Sequence, residues 1–125
     1  MNELILVLLA FILSPSLNYD NCTFREDSFE YIRYSCDGEN GLIIEDSYGN
    51  IRDSRTDIFW RKDSFGNIRS SDGMIWRNDS HGNFVSNKNN RWRKDSFGNW
   101  RSNDGMICRK DSFDSLHCQR FLLPL

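Results

Sequence analysis

A five-residue motif, Asp-Ser-aromatic-Gly-Asn, returns at a fixed interval and limits what this chain can become. It begins at Asp63 and Asp95, with Asp-Ser-His-Gly-Asn at Asp79 between them and Asp-Ser-Phe again at Asp111, sixteen residues apart each time. Upstream, Asp-Ser-Tyr-Gly-Asn begins at Asp46, seventeen residues before the next copy, and a worn copy begins at Asp27. A unit this short cannot bury a face alone, so its order must come from its neighbours.

Each unit splits into two halves. Asp63 to Asn78 reads DSFGNIRS then SDGMIWRN, and Asp95 to Lys110 reads DSFGNWRS then NDGMICRK. Both halves open on an Asp/Gly reversal and continue into a β-prone stretch. Asp and Asn accept backbone N–H groups in turns, and Gly takes positive φ at no steric cost. Alternation then sorts the strand residues. Ile68 and Ser70 share one face and Arg69 takes the other; Met74 and Trp76 share a face and Ile75 and Arg77 take the other. A helix would carry a glycine about every eight residues, each costing about 1 kcal/mol. The expectation is therefore an all-β fold of about ten short strands. Tandem short hairpins in an antiparallel meander are favoured over a β-solenoid. A solenoid would stack Arg61, Arg77, Arg93 and Arg109 as a like-charge ladder, whereas in a meander the arginine columns need not stack.

On these units the chain resembles small exported bacterial proteins that carry the same alternating repeat, well over residues 46–113 and loosely over 27–45. The resemblance implies export and repetition, and it carries no functional residue across. A fainter likeness to YD-type repeats and choline-binding repeats transfers no function. The chain does not repeat a Tyr-Asp dipeptide and lacks a paired aromatic cage.

Leu4 to Leu13 is an unbroken apolar run of ten residues. It is too short to span a hydrocarbon core of about 30 Å at about 1.5 Å per residue, and it suits the apolar part of a signal peptide. Ser14-Pro15-Ser16 is a small-x-small site allowing cleavage before Leu17, although Glu3 stands where a Lys or Arg is usual. The alternatives are an uncleaved anchor and a short apolar strand or helix packed on the domain. The organisation expected is a signal peptide at 1–16, an N-terminal cap at 17–45, the repeat array at 46–113 and a C-terminal cap at 114–125. Four cysteines in a short exported chain read as two disulfides, favoured as Cys22–Cys36 and Cys108–Cys118, one bracketing each end of the array. Each loop closure would stabilise by about 2–3 kcal/mol. A four-cysteine zinc site would want a C-x-x-C pair, which is absent, so no metal site is expected.

Charge is unevenly spread. Residues 17–45 carry Arg25 and Arg33 against seven acids, whereas residues 46–110 carry thirteen Lys and Arg against eight Asp. Such a block speaks to partners rather than to fold. Three columns invite a function. Trp60, Trp76 and Trp92 recur at sixteen residues, Cys108 takes the next place, and Trp100 stands in another column. They read first as a stacked core and second, if exposed, as a ladder for stacking sugar rings. Arg61, Arg77, Arg93 and Arg109, with Arg69 and Arg101, read as a solvated face paired to turn aspartates, or as a cationic stripe for an anionic polymer. The recurring aspartates read as turn formers, since no D-x-[DN]-x-[DN]-G calcium loop occurs.

Neither histidine suggests catalysis. His81 fills the aromatic slot of a repeat, and His117 merely adjoins Cys118. No nucleophile elbow, P-loop or H-E-x-x-H pattern is present. Asn21-Cys22-Thr23 and Asn78-Asp79-Ser80 match glycosylation sequons. The expectation is a secreted or periplasmic, non-catalytic surface module without a cofactor. It would bind an anionic polysaccharide, a glycan or a cell surface weakly through many copies, with nucleic acid a poor fit. The alternatives are a self-assembling structural envelope component and an enzyme or inhibitor whose site the sequence does not display. Exposure of Trp60, Trp76 and Trp92 is what sugar stacking requires.

Overall fold

The computed structural model describes residues 5–14, 17, 19–27 and 31–121. Within them every Asp/Gly reversal does end one strand and start the next. Twelve strands result: β1 (Asn21–Glu26), β2 (Ile32–Cys36), β3 (Glu39–Glu45), β4 (Ile51–Asp53), β5 (Phe59–Lys62), β6 (Ile68–Ser70), β7 (Ile75–Asn78), β8 (Phe84–Ser86), β9 (Arg91–Lys94), β10 (Trp100–Ser102), β11 (Met106–Lys110) and β12 (Leu116–Arg120). Each is antiparallel to its neighbours in sequence, so the all-β meander is the fold and the solenoid is not. One sixteen-residue unit supplies two strands.

The meander does not end in free edges. β1 pairs with β12, setting Cys22 opposite Cys118 and Phe24 opposite Leu116, and the sheet closes into a twelve-stranded barrel. Local alternation does not announce this closure. A strand reads the same whether its sheet is open or rolled, and the seam joins residues about a hundred positions apart. Closure satisfies the backbone groups that two edge strands would leave exposed.

A closed sheet of this size has an interior to fill. Eight strands leave about enough room for their own side chains, and more strands leave a lumen. Here the lumen is filled by α1 (Ile5–Ile12), whose residues from Val7 to Ile12 are buried. The Phe11 ring lies 4.9 Å from Tyr34, 5.7 Å from Trp60, 5.8 Å from Tyr19 and 6.1 Å from Phe24. On another side, the Trp92 indole N–H donates to the Leu9 carbonyl at 3.1 Å. The apolar run expected to stand outside the domain is thus its axial core. A helix built only of Ile, Leu, Val, Ala and Phe is buried all round, as a helix lacking a polar face must be. The small-x-small site lies outside the described residues at Pro15 and Ser16.

Both expected disulfides are present, Cys22–Cys36 and Cys108–Cys118. Their placement differs from the expectation. They do not bracket opposite ends of an array, because closure brings those ends together. Cys36, Cys22, Cys118 and Cys108 are successive cross-strand partners in one row over β2, β1, β12 and β11. Two staples therefore flank the closing seam. On the far side of α1's exit, Arg120 clamps the entry to β1. Its guanidinium reaches Asp104 at 2.6 Å, Asp20 at 3.0 Å and the Tyr19 carbonyl at 3.0 Å.

One buried polar group is also needed. Asp53 is fully buried and accepts the Tyr34 hydroxyl at 2.6 Å, the Thr56 N–H at 3.0 Å and the Thr56 hydroxyl. Burial, then the Asp53 carboxylate, push the Tyr34 phenol well above its ordinary range. The ring fits because Gly41 has no side chain: a Cβ there would lie 2.3 Å from the Tyr34 hydroxyl oxygen.

Replacing Phe11 by Ala in the disulfide-bonded full chain should lower stability by about 3–5 kcal/mol, read from the guanidinium unfolding midpoint. An unchanged midpoint would show that α1 is not the barrel's core. Gly41→Ala should also destabilise, by about 2–4 kcal/mol, because displacing Tyr34 strips a hydrogen bond from a buried carboxylate.

Candidate functional site

The repeated turn is a self-contained device. In the turn at Asp63, Oδ1 accepts the N–H of Phe65 at 2.9 Å and of Asn67 at 3.0 Å, while Oδ2 takes the Arg69 Nε at 3.1 Å. The turn at Asp95 repeats these contacts with Phe97, Asn99 and Arg101. The copies at Asp46 and Asp79 keep both N–H contacts, and Asp111 keeps them with Phe113 and Ser115. Gly66, Gly82 and Gly98 hold φ near +82°, and the last copy puts Asp114 in that slot at φ 65°. Asp is among the few side chains that tolerate it.

This device sorts the arginines into two sets. Arg33, Arg69 and Arg101 each bind the aspartate six residues earlier, at 2.9–3.1 Å. Arg61, Arg77, Arg93 and Arg109 also face outward, on β5, β7, β9 and β11, and among the described residues none of these four forms an ion pair with an acid. The two sets meet across strands, contrary to the expectation for a meander: Arg61 stands opposite Arg69 and Arg93 opposite Arg101. Like charges at such a position repel. The turn aspartate draws one member of each pair aside and leaves the other unneutralised.

The tryptophan column points the other way. Trp60, Trp76 and Trp92 are at most 1% exposed, and Trp100 is half-buried against the core. Trp76 stacks on Phe84 at 4.8 Å. An outward ladder for sugar stacking is therefore excluded, and the column is lumen wall. Its phase decides this, because Trp and the following Arg occupy opposite faces of a strand. The indole N–H groups of Trp60 and Trp76 find no acceptor among the described residues.

A different set of aromatics is exposed. Tyr48, Phe65, Phe97 and Phe113 are 87–88% accessible, each at the third position of its turn. His81 holds the same place in the turn at Asp79 and is exposed. These turns join β3 to β4, β5 to β6, β7 to β8, β9 to β10 and β11 to β12, so all five tips stand on one rim. The reversals of the opposite rim are polar, with Asp37-Gly38, Asp72-Gly73, Lys88-Asn89 and Asp104-Gly105, and beside them only Phe59 and Phe121 are partly exposed among the described large apolar residues. The rim aromatics escaped the sequence reading, which treated this slot only as a column. The signal was there: a ring held between an Asp and a Gly at a turn apex cannot reach a core. At the same rim, clefts of roughly 370 and 270 Å³ flank the first residues of α1, with Lys62 lining one, and Lys94 and Lys110 the other.

One constellation imitates a catalytic array. Asp111 Oδ2 lies 2.8 Å from His117 Nε2, and His117 Nδ1 lies 3.5 Å from the Thr23 hydroxyl. The repeat explains it differently. His117 occupies the position six residues after a turn aspartate, where four copies hold Arg (Arg33, Arg52, Arg69, Arg101) and one holds Val85, and Asp111 is already the acceptor of its own turn. No family model matches the chain, and neither a curated protein nor a solved structure matches it.

The five turn aspartates are held below the ordinary carboxylate range. For Asp46 and Asp63, desolvation opposes ionisation, but turn N–H groups and the nearby arginine outweigh it. The Asn83 N–H leads for Asp79, Arg101 for Asp95 and His117 for Asp111. A carboxylate with a depressed folded pKa stabilises the fold above its unfolded pKa, near 3.9, and loses that contribution as pH falls through the folded value. The urea midpoint should therefore hold from about pH 7 to 5 and fall steadily below about pH 4. Asp95→Asn, which loses the Arg101 ion pair, should flatten that decline. A midpoint indifferent to pH down to about 2.5 would contradict this role for the turns.

Proposed function

We propose that this chain is an exported, non-catalytic barrel that adheres to an anionic surface or polymer through repeated, weak contacts. The observation that carries the reading is the set Arg61, Arg77, Arg93 and Arg109. These four outward cations sit on alternate strands, and among the described residues no acid pairs with them. Each alone is worth little, but a ring of them engages a polyanion at several points, and the linked contacts add.

The rest of the molecule supports the setting. All four cysteines are in disulfides, as suits an oxidising compartment. The apolar run Ile5–Ile12 is packed inside the barrel as α1, so the export reading rests on the disulfides. The glycan-stacking version loses its support with the burial of Trp60, Trp76 and Trp92, so the proposal rests on charge.

Binding to immobilised dextran sulfate tests this. Wild type should be retained at about 0.15 M salt and released by about 0.5 M, where screening shortens to a few ångströms. Arg61→Gln, Arg77→Gln, Arg93→Gln and Arg109→Gln together should weaken binding about tenfold or more and flatten its salt dependence. Changing Arg69 and Arg101 instead should alter retention little, because those charges are already met. Equal losses from the two sets would overturn the assignment.

A further inference from the structure

The five turn tips raise a separate question, because exposed phenylalanine is costly in water and this barrel repeats it. We propose that the aromatic rim is a docking face for an anionic lipid bilayer, with the tip rings entering the interface and the cations beneath them meeting the head groups. This deepens the adhesion reading by naming the surface, and it rests on that reading for the arginines.

Three features of the rim argue for a bilayer. The rings are isolated. Consecutive tips are two strands apart, about 10 Å at the usual strand spacing, so no two rings face each other to grip a sugar or a peptide. They are also collected at one end: Tyr48, Phe65, Phe97 and Phe113 crown one rim, with His81 in the fifth place, while the reversals of the other rim are polar and its rings, Phe59 and Phe121, are about half as accessible. A crown of separate points suits a broad, yielding apolar layer better than a groove-bound ligand. Finally, the tips are already rigid. The aspartate holds the N–H of the ring-bearing residue and of the residue two further on, so little loop ordering is needed on contact.

Charge completes the match. Arg61-Lys62, Arg93-Lys94 and Arg109-Lys110 precede their turns directly, and Arg77 precedes the turn that carries His81. These cations lie three to four residues before the ring, at most about 10–13 Å away, because the chain reverses in between. Rings buried about 5–10 Å into the interface would leave them level with anionic head groups. A spanning mode does not fit. The strands are three to seven residues long, short of the nine to eleven or so that a spanning strand needs, and the outer wall carries the arginines.

The test uses the disulfide-bonded full chain and vesicles of phosphatidylcholine, with and without one-third phosphatidylglycerol. Wild type should co-sediment with the anionic vesicles, and a Phe97→Trp variant should show blue-shifted emission on binding them. Phe65→Ser, Phe97→Ser and Phe113→Ser together should cut vesicle binding at least tenfold and leave dextran sulfate retention unchanged. These tips lie outside the core, and circular dichroism confirms the fold of each variant. The four-arginine variant should lose both partners. Wild type that binds the polymer but ignores anionic vesicles overturns the bilayer proposal alone, as does a triple-serine variant that binds vesicles like wild type. Wild type that binds neither overturns the adhesion reading as well.

Discussion

A rolled sheet exchanges the problem of edges for the problem of an inside. Strands of three to seven residues make a low wall, and twelve of them enclose more space than their own side chains fill. An empty apolar lumen forfeits dispersion contacts along its whole lining. The contact between α1 and the inward column of Trp60, Trp76, Trp92, Phe24 and Tyr34 is therefore what permits a barrel of this size. Large indoles thicken the wall, the helix takes the axis, and Trp92 ties the two by one hydrogen bond to Leu9. Two other indole N–H groups have no acceptor among the described residues, a cost of about 1–3 kcal/mol each that apolar packing has to offset.

The wall itself depends on local turn chemistry. Each carboxylate at the aromatic rim serves its own reversal, so the turns form without long-range help. At the polar rim the links are lateral. Ser71 accepts the Phe59 N–H, Asn87 the Ile75 N–H and Asn103 the Arg91 N–H, each tying a reversal to an earlier strand. One rim is thus stitched by side chains while the other stands free. The free rim is where aromatic residues persist in exposed positions, and where a partner can approach without disturbing the ladder.

Much of this was legible. Residues alternating as Met74-Ile75-Trp76-Arg77 fix strand and face together, and the structure buries Met74 and Trp76 and exposes Arg77. The cysteine pairs were readable from their places at the two ends of the array. Three things were not. Closure depends on Cys22 meeting Cys118, a long-range pairing without a local signature. The place of α1 was hidden because an apolar run of export length and an apolar core helix have the same composition. The two arginine columns were visible, but which of them the turn aspartates neutralise was not. Only the spacing from aspartate to arginine of six residues distinguishes Arg69 from Arg77, and its meaning appears once Asp63 is seen to hold its own turn and that arginine together.

The departures from the repeat are the places where periodicity meets the seam. Cys108 replaces a tryptophan in the one unit whose neighbour is β12, and it bonds there to Cys118. A fourth indole in that column would compete for space with the row of four cysteines beside the seam. Asp114 replaces glycine in the last turn and lies 3.7 Å from Lys110, so the lost conformational ease comes with a local charge contact. His117 replaces arginine beside Asp111 and is the register partner of Arg109 on one side and Thr23 on the other. A second full guanidinium facing Arg109 would restore the like-charge opposition found at Arg61 and Arg69. The imidazole that stands there instead is held by Asp111 at 2.8 Å and reaches Thr23 at 3.5 Å, at the point where the barrel must close. Cys108, Asp114 and His117, with Ser115 in the place of Asn, are thus departures that face the seam or complete the last turn, where the repeat ends by joining its own beginning.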